Sequence, residues 1–305
     1  MNDKRGNNTA ASVRDRLLAL ARERGEDFQL LLTQYGLERL LYRLSQSNYR
    51  ERFILKGAML FILWGDQPHR PTRDVDFLGF GDSSEPGLQK IFRELCNLPV
   101  DDDGLTLMAD SVQVEVIRDE SEYGGIRVRL FGDLAGARVP IQADIGFGDA
   151  VTPKAIEIKY PTLLGNPAPH LRAYPRETVV AEKYQALVNL GMANSRMKDF
   201  YDLWIIAREF DFDGRILSDA IRNTFSRRRT PLPEHASSGL SPEFHEDTQK
   251  NTQWNAFIRK GMLVTSPPSL TDVCLFLETF LLPPTQALTQ NQDFKAKWKP
   301  GGPWR

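Results

Sequence analysis

Arg73-Asp74-Val75-Asp76-Phe77-Leu78-Gly79 sets two carboxylates two positions apart, with apolar side chains between and after them. In an extended strand successive side chains point to opposite faces, so Asp74 and Asp76 project together while Val75 and Phe77 enter the core. A hard divalent cation such as Mg2+ takes oxygen ligands, usually one or two carboxylates together with substrate phosphates. Two acids at this spacing are equally the pattern of a solvated edge strand, so their surroundings decide between the readings.

Upstream, Phe53 to Trp64 reads as a helix with Lys56-Gly57-Ala58 near its start, where free N–H groups and a glycine permit close approach of a phosphate. The proline-rich stretch Pro68 to Pro71 ends it. Downstream, Val139-Pro140-Ile141-Gln142-Ala143-Asp144-Ile145-Gly146 reads as a strand. Asp144 shares a face with Gln142 and Gly146, away from Ile141, Ala143 and Ile145. A third carboxylate beside the first two completes a site for two cations that clamp the attacking and leaving oxygens of an in-line phosphoryl displacement.

Working outward, the first fifty residues read as helix, through Val13, Leu17, Leu18 and Ala21 and then from Leu30 to Leu44. Gly87 to Leu98 is helical. Ser111 to Arg118, Ile126 to Leu130 and Arg138 to Ile145 read as strands, the last two joined by a turn at Gly132-Asp133 or at Gly136. From Glu177 onward the period is helical: Glu177 to Leu190, Asp199 to Glu209, Ile216 to Thr224, Asn251 to Gly261 and Leu270 to Leu282. A mixed part followed by a helical part predicts two domains joined through Pro153, Pro161, Gly165, Pro167 and Pro169. The expected extents are an α/β domain with N-terminal helices over 1–165, a helical domain over 166–285, and a poorly ordered tail over 286–305.

Bulk composition sets the outer limits. The chain has 305 residues, 41% of them apolar and 26% charged, the balance of a globular protein with a substantial core. No apolar run approaches the roughly 18 residues of a membrane-spanning helix. The charged stretch Met1 to Arg16 lacks the apolar region of a secretory signal, so a cytoplasmic location is expected. Cys96 and Cys274 have no ligand spacing and are expected to be buried thiols. The net charge of -1 does not announce a nucleic-acid binder, so any such role rests on local basic patches. His69, His170, His235 and His245 are scattered and expected at the surface. Asp101-Asp102-Asp103-Gly104 lacks the spaced acids of a calcium loop and reads as a turn.

The chain resembles the AbiEii/AbiGii-type nucleotidyltransferase toxins, a MenT-like family within the DNA-polymerase-β-like superfamily. The resemblance is carried by Phe53-Ile54-Leu55-Lys56-Gly57-Ala58-Met59-Leu60, Arg70-Pro71-Thr72-Arg73-Asp74-Val75-Asp76-Phe77 and Ala143-Asp144-Ile145-Gly146-Phe147-Gly148. It continues through Val180-Ala181-Glu182-Lys183-Tyr184-Gln185-Ala186 and Ser195-Arg196-Met197-Lys198-Asp199-Phe200-Tyr201-Asp202-Leu203. It implies an α+β fold, with a nucleotidyltransferase-like mixed sheet flanked by helices and followed by a helical C-terminal domain.

The resemblance also implies Mg2+-dependent transfer of a nucleoside monophosphate from a nucleoside triphosphate. Mg2+ would be held by Asp74, Asp76 and Asp144, with Lys183 and Asp199 completing the catalytic set. Implied nucleotide contacts are Lys56, Gly57, Ala58, Arg73, Lys183, Arg196, Lys198 and Asp202. Read without the family, Lys183 is equally a surface lysine paired to an acid, and Asp199 a charge favouring a helix N-terminus. The superfamily often has Gly-Ser or Gly-Gly where this chain has Gly57-Ala58, which shifts the phosphate grip there to backbone N–H groups and Lys56.

The implied acceptor is the 3′ end of tRNA, whose extension blocks translation. The setting is a toxin–antitoxin or phage-defence system, with a cognate antitoxin protein as partner and no membrane role. Arg222, Arg227, Arg228 and Arg229 form a basic cluster that could track an RNA backbone or simply solvate a helix end. Two alternatives stand beside this reading: transfer onto a protein hydroxyl, and a non-catalytic nucleotide- or partner-binding module.

Overall fold

Apolar side chains at helical spacing build α1 (Asp3–Arg24) and α2 (Phe28–Gln46), and the Asp27 carboxylate caps α2 by accepting from the Leu30 N–H at 2.8 Å. The computed structural model describes residues 3–65, 69–117 and 125–305, so the expectations placed on Pro68 and Arg118 lie outside the described residues. Helix α2 lies directly on the sheet. A Cβ added at Gly36 would come within 2.7 Å of Val139 Cγ1, so the bare α-carbon is what permits the approach.

Seven strands form one mixed sheet: β1 (Phe53–Lys56), β2 (Val75–Gly79), β3 (Thr106–Ile117), β4 (Gly125–Leu134), β5 (Ala137–Phe147), β6 (Ile156–Lys159) and β7 (His170–Ala173). Their order is β3-β4-β5-β2-β1-β7-β6. The short α3 (Phe61–Trp64) follows β1, and α4 (Glu85–Cys96) packs on β3. The helix expected over Phe53 to Trp64 is therefore corrected. Its first four residues are a central strand, a 3-10 turn covers Gly57–Leu60, and only Phe61–Trp64 is α-helical. Phe53, Ile54 and Leu55 are buried without alternation, as in a strand covered on both faces, and such a run cannot be told from a buried helix by periodicity.

The β4–β5 hairpin turns at Ala135 and Gly136, whose φ angles of 50° and 79° are those of a tight two-residue turn. Gly132 lies within β4. The proline-rich junction is a second correction: β6 and β7 arise within it, pair antiparallel, and join the sheet through Leu55↔Ala173. Buried side chains of α2 fasten the loop between them. Glu38 accepts from the Leu163 N–H at 2.7 Å, and Arg39 donates to the Pro167 carbonyl at 3.0 Å.

The chain divides into two compact units, Met1–Gly148 with Ile156–Ala173, and Asp149–Ala155 with Tyr174–Arg305. It thus passes between them three times, where a single boundary at residue 165 was expected. The second unit contains α5 (Arg176–Leu190), α6 (Met197–Glu209), α7 (Gly214–Arg227), α8 (Pro242–His245), α9 (Thr248–Lys260) and α10 (Leu270–Thr289). A small strand pair, β8 (Phe212–Asp213) with β9 (Lys297–Trp298), completes it. The class is α+β, a mixed sheet with helices followed by helices, as the resemblance implies.

The expectation of a poorly ordered tail over 286–305 is also corrected, and two tryptophans explain why. Helix α10 runs through Pro283 and Pro284 to Thr289. Proline has no N–H to give the carbonyl four residues back, and for Pro284 that carbonyl is Phe280. The Trp304 indole N–H donates to it at 2.9 Å. At the end of α6, where the last carbonyls have no helical partner, Ala207 accepts from the Trp298 indole at 2.6 Å and from the Gly301 N–H at 3.1 Å.

Two histidines expected at the surface, His69 and His245, are buried instead, His69 with its ring centroid 3.7 Å from that of Phe61. Cys96 and Cys274 are buried free thiols. Asp103, in the acidic turn, is held by Arg43 at 2.8 Å. Among the described residues no helix is long and apolar enough to cross a membrane.

Candidate active site

In the first unit, strand pairing sets five charged residues in one row across five adjacent strands. Glu115 of β3 lies opposite Arg127 of β4, Arg127 opposite Asp144 of β5, Asp144 beside Asp76 of β2, and Asp76 opposite Lys56 of β1. The row occupies one sheet face because Val75, Phe77, Ala143 and Ile145, which alternate with the two acids, are buried on the other. At its centre are two like charges side by side, a destabilising pair unless something positive neutralises them. Asp74, immediately before β2, is half-buried and accepts from the Thr72 hydroxyl at 2.6 Å.

Gly57 completes this arrangement. Its φ of 76° ends β1 in the left-handed region, and a Cβ placed there would lie 1.9 Å from Asp76 Oδ2. The Asp76 carboxylate therefore rests against a bare α-carbon, in a space that any other residue fills. Lys56 is half-buried, Ala58 is buried and Arg73 is exposed.

Asp144 is held by an arginine. Arg127 Nε donates to its Oδ1 at 2.8 Å and Nη2 to its Oδ2 at 2.7 Å, a two-pronged pair. These hydrogen bonds raise the Arg127 guanidinium above its ordinary value against the effect of burial, with the charges of Asp144, Glu115 and Asp74 acting in the same direction. Among the described residues no group of three or more His, Cys, Asp or Glu side chains is arranged to hold a metal ion. The expected three-acid cluster is thus not assembled. Asp74 and Asp76 are hard oxygen donors of the kind Mg2+ takes, with the rest of the shell left to phosphate and water. Arg127 escaped the sequence reading, although alternation in Ile126-Arg127-Val128 already assigns it to the polar face.

The second unit gathers a separate cluster. Lys183 on α5 reaches Asp199 at 2.5 Å and Asp202 at 2.9 Å, both on α6, and Arg196 reaches Asp199 at 2.8 Å. Asp199 and Asp202 are 1% and 0% exposed, so in this arrangement they hold Lys183, while Arg196 and Lys198 are the exposed members. Burial alone would push the Asp199 carboxyl up, but Lys183 and Arg196 outweigh it and hold the group below its ordinary 3.8. A depressed carboxyl stabilises the fold above its unfolded value and loses that contribution as pH falls through the folded one. Asp199→Asn is expected to lose about 3 kcal/mol at neutral pH, the low end for one member of a buried pair, because Lys183 keeps Asp202. It is also expected to show a smaller further loss below about pH 4 than the wild type. Urea unfolding at neutral and acid pH measures both; a variant as stable as wild type at neutral pH would remove the assignment.

The four arginines expected to meet RNA do not form one exposed patch. Arg228 turns inward, to Asp149 at 2.9 Å, Glu182 at 3.5 Å and Gln185 at 2.8 Å. Arg222 is exposed and paired with Asp219 at 2.7 Å, and Arg227 and Arg229 are exposed.

A family model for the nucleotidyl transferase AbiEii toxin of type IV toxin–antitoxin systems matches residues 39–278. Among solved structures, a nucleotidyltransferase candidate from H. pylori matches at a TM-score of 0.49 and 14% identity, over 88% of this chain and 100% of its own. JHP933 from Helicobacter pylori matches at a TM-score of 0.45 and 15% identity, over 87% of this chain and 92% of its own. No curated protein matches.

Proposed function

The chain belongs to the nucleotidyl transferase AbiEii toxin family, and from that premise we propose that it moves a nucleoside monophosphate from a nucleoside triphosphate onto the 3′ end of tRNA, in a Mg2+-dependent reaction that stops translation. The observation that carries the reading is the central pair of the charged row. Asp76 and Asp144 are register partners on adjacent strands, with Asp74 two residues from Asp76 and Lys56 opposite it. Bound Mg2+ would supply charge neutralisation at the transferring phosphate.

The protein's own residues then have distinct tasks. Asp74 and Asp76 hold the cation, and Gly57 keeps the space in which Asp76 sits. Lys56 offers a point charge to the triphosphate across the row from the acids. In the second unit Lys183, kept charged by Asp199 and Asp202, and the exposed Arg196 and Lys198 offer cationic groups to nucleotide phosphates. Asp199 and Asp202 act through Lys183. Arg227 and Arg229 remain as candidate contacts to an RNA backbone, and a cognate antitoxin is the expected protein partner, as the family implies.

The test is incubation of the protein with total tRNA, Mg2+ and each α-labelled nucleoside triphosphate in turn. Label is expected on tRNA, chased by nuclease and abolished by chelator, with one base preferred. Label on protein bands with none on RNA would replace tRNA by a protein hydroxyl, and no label on either would leave a binding module.

A further inference from the structure

Lys250 sits where a lysine is unfavourable. It is 7% exposed and lies in the first turn of α9, at the positive end of the helix, with its backbone N–H held by the Asp247 carboxylate at 2.8 Å. Among the described residues no carboxylate pairs with its ammonium group. Nζ lies 5.3 Å over the ring of Phe244 and donates to one acceptor, the main-chain carbonyl of Asn194, at 3.0 Å. Phe244 in turn stacks on Phe200 of α6, with ring centroids 5.2 Å apart. Asn194 is 0% exposed, and its side chain serves one purpose. Its Oδ1 accepts from the Arg196 N–H at 2.8 Å, an Asx turn, while its amide nitrogen, equally buried, has no partner among the described residues. Burying a half-satisfied amide opposes folding, so the turn holds in spite of that cost. Arg196 stands at the N-cap of α6 without a side-chain cap of its own, and from there its side chain, 46% exposed, ion-pairs with Asp199 at 2.8 Å. A continuous line of contacts thus runs from α9 through Lys250 and Asn194 to Arg196, all within the second unit.

We propose that Lys250 is a positioning residue for nucleotide binding: by holding the Asn194 carbonyl it fixes the turn that sets the Arg196 backbone, and so sets where the Arg196 guanidinium meets a phosphate. This rests on the reading above in which Arg196 and Lys198 meet nucleotide phosphates, and it adds a residue 56 positions beyond Asn194 to that grip. Lys250 does not touch the nucleotide, because its ammonium group is buried against the carbonyl and the Phe244 ring. The planar fork of arginine engages a phosphate through paired N–H groups, which makes its hold sensitive to the angle at which the backbone presents it.

Equilibrium titration of the full chain with each of the four nucleoside triphosphates in turn, with Mg2+ and without tRNA, tests this apart from turnover. Arg196→Gln is expected to weaken binding of the tightest-held nucleotide by about tenfold. Lys250→Met, which keeps the length of the side chain and removes its donors, is expected to weaken it by about tenfold too. The two together are expected to cost about tenfold again and no more, where independent losses would multiply to about a hundredfold. Asn194→Ser, whose hydroxyl can still accept from the Arg196 N–H, is expected to stay within about twofold of wild type, and Asn194→Ala to lose about tenfold. A loss of about a hundredfold in the double variant, or wild-type affinity in Lys250→Met, would overturn the proposal and leave the nucleotide reading intact. Wild-type affinity in Arg196→Gln, or no binding by the wild type, would remove that reading and the proposal together. Should Lys250→Met not fold, as a thermal melt would reveal, Asn194→Ser against Asn194→Ala decides alone, equal affinities overturning the proposal.

Discussion

Asp76→Asn is expected to cut nucleotidyl transfer by about 10³-fold or more while leaving the melting temperature within about 2 °C of wild type. Asp76 stands at the centre of the proposed metal site. It lies between Asp144 and Lys56 in the row, two residues from Asp74, with its carboxylate against Gly57. Asparagine keeps the shape and removes the charge, so the loss falls on cation binding and not on packing. The side chain is half-buried, and its neighbours Val75 and Phe77, which belong to the core, are untouched. Neutralising one of two adjacent carboxylates also relieves repulsion, which opposes any loss of stability. Single-turnover transfer of α-labelled nucleotide, run beside a thermal melt, gives both numbers. Activity within about tenfold of wild type would remove Asp76 from the metal site.

The second large effect comes from a single methyl group. Gly57→Ala is expected to lower transfer by about 100-fold, since a displacement near 1 Å at a reacting site costs that much. The added Cβ would stand 1.9 Å from Asp76 Oδ2 and 2.6 Å from its Cγ, distances no real contact tolerates, so the carboxylate must leave its place. The backbone adds its own resistance, because the φ of 76° costs a side-chain-bearing residue about 1–2 kcal/mol. Stability should fall by that amount and the Mg2+ concentration for half-maximal rate should rise. A variant with wild-type rate and wild-type Mg2+ dependence would show that the position of Asp76 does not matter to the reaction.

Several of these features were legible in the sequence, and the reasons others were not are physical. Alternation in Asp74-Val75-Asp76-Phe77 and in Ile141 to Ile145 assigned both strands and the faces of their acids, because a half-buried strand writes its period into the chain. The same rule misread Phe53-Ile54-Leu55, where a strand covered on both sides shows no alternation. β6 and β7, four residues each among prolines, are too short to show a period. The pairing of Asp76 with Asp144 depends on which strands become neighbours across a long connection, and no local pattern records that. Arg127 is the instructive case. A turn at Gly136 sets Arg127 against Asp144 by counting back along β4, whereas a turn at Gly132-Asp133 does not, and the sequence permits both. The inward turn of Arg228 and the two indoles that close the last twenty residues are tertiary facts with no sequence signature.

The threefold passage of the chain between its two units bears on the order in which a cell can make this protein. Residues 149–155 leave the ribosome ahead of 156–173, which finish the sheet, yet they belong with 174–305. The sheet unit can close once its last strand emerges, whereas the helical unit waits for the Trp298 and Trp304 contacts, which emerge later. At about 5–20 residues per second that interval is on the order of 10 s. The helical unit therefore completes its packing well after the sheet unit has closed.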